Sequence, residues 1–166
     1  CERRCVCVKS CASGGSPHGL DVSSLRVTNP GLTCVTIMGY REAADKKAYD
    51  FLVQGESGIC SVTGTKDAPA RFGVSLSDLS TGLTAFSAIL RPLIQRGRTG
   101  QGSDLSIAMF DVMADWMNMS LLVHRYMGGA PERTGLQHSF IALYGALTCK
   151  GGNQLLLSIK NNLEWL

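Results

Sequence analysis

Seven consecutive residues, Leu32-Thr33-Cys34-Val35-Thr36-Ile37-Met38, carry no charge, favour extended backbone and stop at Gly39. An unbroken β-favouring run of this kind is the profile of a strand buried on both faces, the situation of an inner strand in a parallel sheet. It points to an α/β chain, and the rest of the sequence supplies the other parts. Leu79, Leu83, Phe86, Leu90 and Leu93 recur at intervals of three and four, which predicts a long amphipathic helix running to Arg96. Gly97 is its expected C-cap, and Pro92 is expected to kink or divide it near Ala88. Residues 104–110 alternate as a strand with Leu105, Ile107 and Met109 on one side, and residues 111–127 read as a second long helix. Residues 23–26 read as a short helical turn ended by Asn29-Pro30-Gly31. Residues 49–59 read as a helix interrupted by Gly55 and Gly58, glycines expected to serve close packing or ligand approach. Gly128-Gly129-Ala130-Pro131 reads as a domain linker and Gly151-Gly152-Asn153 as a hairpin turn before a strand bearing Leu155, Leu157 and Ile159.

Ligands of open α/β sheets collect beyond the carboxyl ends of the strands, which directs attention to Gly39-Tyr40 and the residues immediately after them. A second candidate lies in Arg71-Phe72-Gly73-Val74-Ser75-Leu76-Ser77-Asp78-Leu79-Ser80-Thr81-Gly82. Val74 and Leu76 alternate with Ser75 and Ser77 like a strand, and the helical pattern then begins, so Asp78 is expected at a helix N-terminus. Two readings stand for it. Asp is a favoured N-cap, and an ionised, oriented carboxylate at the positive end of a helix is also what nucleophilic carboxylate chemistry requires.

The 166 residues suffice for one domain with a real core, and 45% hydrophobic with 17% charged residues excludes a disordered chain. The net charge of +3 is spread over Arg3-Arg4, Lys46-Lys47 and Arg91/Arg96/Arg98 without interleaved aromatics, so no nucleic-acid surface is expected. A few local cations suit an anionic small molecule better. No run approaches the ~18 apolar residues of a membrane span. Of seven cysteines, Cys1, Cys5, Cys7 and Cys11 crowd the start, with no second ligand pair and only His18 nearby, so no metal site is expected. Scattered free thiols suit a reducing compartment. Residues 1–17 show no clean periodicity and are left unassigned.

Ala48-Tyr49-Asp50-Phe51-Leu52-Val53-Gln54-Gly55-Glu56-Ser57-Gly58, Ser61-Val62-Thr63-Gly64, the stretch from Gly73 to Gly82, and Arg96-Gly97-Arg98-Thr99-Gly100-Gln101-Gly102 occur in this order. The series resembles the family III CoA-transferases over most of the chain, from Gly19 to Trp165. Phe110-Asp111-Val112-Met113-Ala114-Asp115-Trp116-Met117 looks most like members acting on short branched dicarboxylates of the mesaconate and citramalate type. The resemblance implies a Rossmann-like parallel-sheet large domain, its central part at residues 18–128, followed by a linker and the start of a smaller domain at 129–166. It implies an intertwined homodimer in the cytoplasm, or in the mitochondrion of a eukaryote. No permanently bound cofactor is implied; a coenzyme A thioester and a small carboxylic acid are the substrates. Asp78 is then the nucleophile, passing through an aspartyl-CoA thioester, and Lys47, Ala48, Tyr49 and Asp50 match the segment that contacts coenzyme A. Tyr49 stands where the related acyl-CoA racemases carry a His base. A phenol, with an ordinary pKa of about 10, is a poor base at neutral pH, so acyl transfer is favoured over proton abstraction.

Other residues have plainer readings. Lys47 also fits a solvated cation at a helix start, and Glu56 either a second polar group of the site or an exposed side chain. Asp111 and Asp115 read as a polar helix face; Met109, Met113, Met117 and Met119 as core or interface filler. His124 and His138 lack ligand spacing, and Arg133 or His138 has at most an indirect role near the small domain. The chain departs from the family pattern at Leu143, where Pro is expected, at Leu163, where a polar or basic residue is usual, and at Arg41 with the residues after it, which replace a glycine-rich turn. It begins with Cys1 and ends at Trp165-Leu166, while the resembled family is much longer. An internal fragment is therefore expected, poorly soluble because a truncated sheet exposes an apolar edge, with a non-catalytic piece of the fold as the alternative to an active CoA-transferase.

Overall fold

A computed structural model of the chain describes residues 6–11, 22–43 and 45–159. In chain order the elements are β1 (Val6–Cys11), α1 (Val22–Thr28), β2 (Thr33–Met38), α2 (Asp50–Glu56), α3 (Ile59–Val62) and α4 (Leu76–Thr99). β3 (Asp104–Ala108), α5 (Met109–Trp116), α6 (Asn118–Met127), β4 (Tyr144–Thr148) and β5 (Gln154–Ser158) complete the set. β1, β2 and β3 form a parallel sheet in that order, and β4 and β5 an antiparallel pair. The architecture is α/β, as the sequence indicates.

β2 is the middle strand. Cys34 lies opposite Cys7 of β1 and Asp104 of β3, and Thr33, Cys34 and Val35 are sealed from solvent. That is the burial on both faces which an uncharged run predicts. β1 corrects the reading of residues 1–17 as aperiodic: Val6–Cys11 pairs along the whole of β2. Its alternation is hidden by Cys and Lys. The rest of that unassigned stretch, and His18, fall outside the described residues. The core joins Val35, Val53, Ile59, Leu76, Ile107, Val112 and Met113, with Ala48, Leu105 and Met109 packed against it.

α4 departs from expectation in three ways. It starts at Leu76, so the strand read over 74–77 does not form; no described strand lies there to pair with it, and the Leu76 N–H turns back to the Val74 carbonyl while Asp50 of α2 takes the Ser77 N–H. It runs unbroken through Pro92 and ends past Gly97, with Gly100 as its C-cap at φ 71°. Its apolar stripe is turned outward. Leu79, Leu83, Phe86 and Leu90 are 63%, 65%, 62% and 45% exposed, whereas Ser77, Ser80, Thr81 and Ala85 are buried. These small side chains let the helix lie close against α2, α5, β2 and β3.

The helix expected over 111–127 is two helices. Met117, buried between them, donates its N–H to both Met113 and Ala114 carbonyls and marks the turn from α5 to α6. Of the methionines read as filler, Met113 and Met117 are core, and Met119 is 64% exposed. Gly58 separates α2 from α3 at φ 88°, a conformation open to glycine at little cost. Gly55 has open space where a side chain would project, so among the described residues close packing is not what the glycine serves. The hairpin turn forms as read, with Gly152 at φ 82° and the Cys149 N–H donated to the Asn153 carbonyl at 2.8 Å. Leu143 sits at φ 56°, a left-handed conformation that the proline expected there could not adopt.

Candidate active site

Asp78 is the third residue of α4, in its first turn, and Ser75 holds the cap position without a side-chain cap hydrogen bond. The cap is supplied from elsewhere. Asp50, the first residue of α2, accepts the Ser77 N–H on Oδ1 at 2.8 Å. Its other oxygen accepts from Nε2 of Gln54 at 2.8 Å, and Oε1 of Gln54 accepts the Phe72 N–H at 2.9 Å. The N-cap reading of Asp78 therefore fails: Asp50 performs that service across 27 residues. Among the described residues no donor or cation pairs with the Asp78 carboxylate.

Asp78 is an exposed residue, yet its carboxyl is held above its ordinary pKa, first by the water its helix-start neighbours displace and then by the negative charge of Asp50. The N-terminal end of the α4 dipole acts in the opposite sense. The first amides of α4 are already occupied, Leu76 N–H by the Val74 carbonyl and Ser77 N–H by Asp50. They are not free to receive developing negative charge.

The segment from Tyr40 to Tyr49 leaves the carboxyl end of β2 and enters α2. A side chain at Gly39 would collide with the Ala48 Cβ, so Ala48 packs directly on the strand end. The Gly39 carbonyl accepts the Phe110 N–H of α5 at 3.1 Å. Lys46 pairs with Glu56 of α2, and its Nζ lies 4.2 Å from the centre of the Tyr40 ring. The hydrogen bond to Lys46, more than any other contact, holds the Glu56 carboxyl below its usual range. The Tyr40 hydroxyl is buried and, among the described residues, meets no partner at hydrogen-bond geometry. Burial, and then neighbouring Glu56, raise its pKa. Lys47 is exposed, and Tyr49, at the cap position of α2, is 63% exposed.

The structure thus brings Asp50 to the helix start that carries Asp78, with both Asp50 oxygens engaged internally. Lys47 and Tyr49 stand on the same strand-to-helix connection, facing solvent. Sequence reasoning missed Gln54 as a bridge and Lys46 as the partner of Glu56. The only signal for Gln54 was its i, i+4 spacing from Asp50, which any polar helix face shares.

The remaining polar candidates are structural. Asp111 pairs with Arg41 at 2.8 Å. The Arg133 guanidinium donates to the Thr65 and Lys66 carbonyls, each at 2.9 Å. His138 Nδ1 accepts the Phe140 and Ile141 N–H groups at 3.1 Å, and its ring stacks on Tyr144 at 5.1 Å. A ring that accepts at Nδ1 carries its proton on Nε2 when neutral. His138 borders a cleft of about 410 Å³ with Thr63, Phe72, Met119, Gln137 and Phe140. Cys34 is a core thiol whose pKa burial pushes up. Among the described residues no group of His, Cys, Asp and Glu is placed to hold a metal ion, and no helix is long and apolar enough to cross a membrane.

A family model described as CoA-transferase family III matches residues 7–166, reaching into the segment left unassigned by sequence. The chain is 35% identical over 153 residues to succinate–glutarate CoA-transferase of Agrobacterium fabrum, covering 90% of this chain and 38% of that one. It is 35% identical over 129 residues to acetyl-CoA:oxalate CoA-transferase of Acetobacter aceti, covering 75% and 33%. Among solved structures, a CaiB/BaiF family protein of Brucella suis superposes with a TM-score of 0.81 at 33% identity, covering 96% of this chain and 43% of the other. The chain therefore spans well under half the length of these relatives.

Proposed function

The chain belongs to CoA-transferase family III, and from that premise we propose that it carries the nucleophile of an enzyme moving coenzyme A from an acyl-CoA donor to a carboxylic acid. The observation that carries this reading is the Asp78 carboxylate, without a hydrogen-bonding partner among the described residues, at a helix start whose cap is supplied by Asp50. A carboxylate needed only as a cap would accept an amide of the first turn or of the cap residue, and among the described residues Asp78 accepts none.

In the proposed sequence an Asp78 oxygen attacks the thioester carbonyl of the donor. The C–S bond breaks, coenzyme A leaves as thiolate, and an aspartyl–acyl mixed anhydride remains. The thiolate then attacks the aspartyl carbonyl, releasing the donor acid as carboxylate and leaving an aspartyl-CoA thioester. The acceptor acid repeats both steps in reverse and departs as its CoA thioester. Each step exchanges one acyl bond for another of similar energy, which is the advantage of covalent catalysis. Lys47, exposed beside Ala48 and Tyr49, is the proposed partner of a coenzyme A phosphate, and its exposure leaves it accessible to one. Asp50 serves better as the holder of α4 than as a contact to coenzyme A. No permanently bound cofactor is required.

The relatives named for succinate and glutarate, and the D-citramalate enzyme of Chloroflexus aurantiacus at 30% identity, favour a short dicarboxylic acid as one substrate. The outward apolar stripe of α4 supports the intertwined homodimer that the resemblance implies, and a cytoplasmic enzyme is proposed with it. Racemase chemistry is disfavoured by Tyr49. The test is exchange of labelled acid into acyl-CoA by the full-length enzyme and by Asp78→Asn. Exchange that collapses in the folded Asn variant supports the reading; rapid α-deuteration of a 2-methylacyl-CoA without acid exchange contradicts it.

A further inference from the structure

Gln54 is fully buried, although it sits between exposed Leu52 and exposed Gly55 on a helix of seven residues. Its side-chain hydrogen bonds all serve the segment that leads into Asp78. Nε2 donates to Asp50 Oδ2 at 2.8 Å and lies 3.5 Å from the Val74 carbonyl, and Oε1 accepts the Phe72 N–H at 2.9 Å. The amide orientation is fixed by this set, since a flip would face NH2 to the Phe72 N–H and oxygen to a carboxylate. Asp50 continues the chain of bonds to the Ser77 N–H at 2.8 Å. Residues 72–77 are thus strapped at both ends to one face of α2. Between the straps apolar anchoring is thin, for Phe72 and Val74 are 43% and 55% exposed. Leu76 alone of this segment joins the core.

We infer that Gln54 is a positioning residue for the Asp78 carboxylate, fixing the entry segment of α4 through Phe72, Val74 and Asp50. The inference rests on the reading of Asp78 as nucleophile. Leu76 and Ser77 anchor the first turn itself, and beyond it α4 is held by its buried face at Ser80, Thr81 and Ala85, so loosening the strap shifts the segment before the helix and the aim of the first turn while the fold survives. A drift on the order of 1 Å at a reacting group costs about a hundredfold in rate.

The experiment compares wild type, Gln54→Met and Asp78→Asn in the full-length enzyme, by steady-state exchange and by single-turnover formation of the covalent adduct. Met matches the volume of Gln and removes all its side-chain hydrogen bonds. The expected result for Gln54→Met is a kcat about tenfold to a hundredfold lower. The single-turnover rate falls by the same factor, while KM for the acyl-CoA stays within about twofold. A purely structural glutamine would lower the melting temperature and leave kcat per folded enzyme unchanged, and that outcome overturns the inference. If Asp78→Asn still transfers coenzyme A, the nucleophile reading fails and takes the inference with it. If Asp78→Asn is dead and Gln54→Met is wild-type-like, the inference alone fails. Should Gln54→Met not fold, amide hydrogen exchange of the wild type decides: the Phe72 amide is expected to exchange far more slowly than those of Arg71 and Gly73, and equal rates overturn the strap.

Discussion

Asp78 ionises against its surroundings, and that has consequences for stability as well as for rate. Its pKa is raised in the folded state by partial desolvation of an exposed side chain and by Asp50, so the folded chain holds this proton somewhat more tightly than the unfolded chain does. The contribution to stability is complete below the unfolded carboxylate pKa of about 3.9 and is lost as pH rises through the higher folded value. Asp78→Asn is therefore expected to melt at or above the wild-type temperature at pH 7, and the gap is expected to close as pH falls to about 4; calorimetry at the two pH values checks this. A wild type more stable than the Asn variant at pH 7 would return the residue to a capping role. The same direction of shift is expected to move the acid limb of kcat/KM upward from an ordinary aspartate's, and Asp50→Asn, which removes the neighbouring carboxylate, is expected to move that limb to lower pH. A pH–rate profile unchanged by the substitution would contradict the coupling. The place of Asp78 in the first turn of α4 was legible in sequence because a helical pattern begins beside it. The part played by Asp50 was not, because its hydrogen bond to Ser77 spans 27 residues and no local spacing encodes such a contact.

Among the elements, β2 and the β4–β5 hairpin were readable because an uncharged β-favouring run and a Gly-Gly-Asn turn each admit one structure. The α4 helix was readable as a helix but not as to its orientation. Periodicity shows that a helix has two faces; which of them meets the core depends on what neighbouring elements can accept, and α2 and α5 accept the small one. Substituting Leu83→Ser and Phe86→Ser in the 166-residue chain is expected to change its stability by no more than about 0.5 kcal/mol each, while sedimentation velocity shows less self-association. A loss of several kcal/mol would mean that the stripe faces a core. The two glycines at Gly55 and Gly58 offer a paired check in the full-length enzyme. Gly55→Ala, at a helical position with open space around it, should gain about 0.5–1 kcal/mol. Gly58→Ala, at φ 88°, should lose about 1–2 kcal/mol. Melting curves that reverse the order would contradict the placement of the α2–α3 break.

At the scale of the whole molecule, the sheet is a parallel set of three described strands with β1 on one flank, where Val6 and Val8 are 40% and 58% exposed. The α/β class was legible from β2 and β3 together; β1 was not, since Cys and Lys obscure its alternation. Outward apolar surface on α4 and β1 fits a chain that spans 38% of one relative and 43% of a solved one. The central claim is that Asp78, carried by this sheet-and-helix frame, bonds covalently to coenzyme A. Incubating the full-length enzyme with acyl-CoA alone, trapping with hydroxylamine or borohydride, and digesting for mass spectrometry tests it most directly. A modification on the peptide containing Asp78, absent from Asp78→Asn, is the expected result. Transfer activity in the Asn variant, or an adduct on another residue, would contradict it.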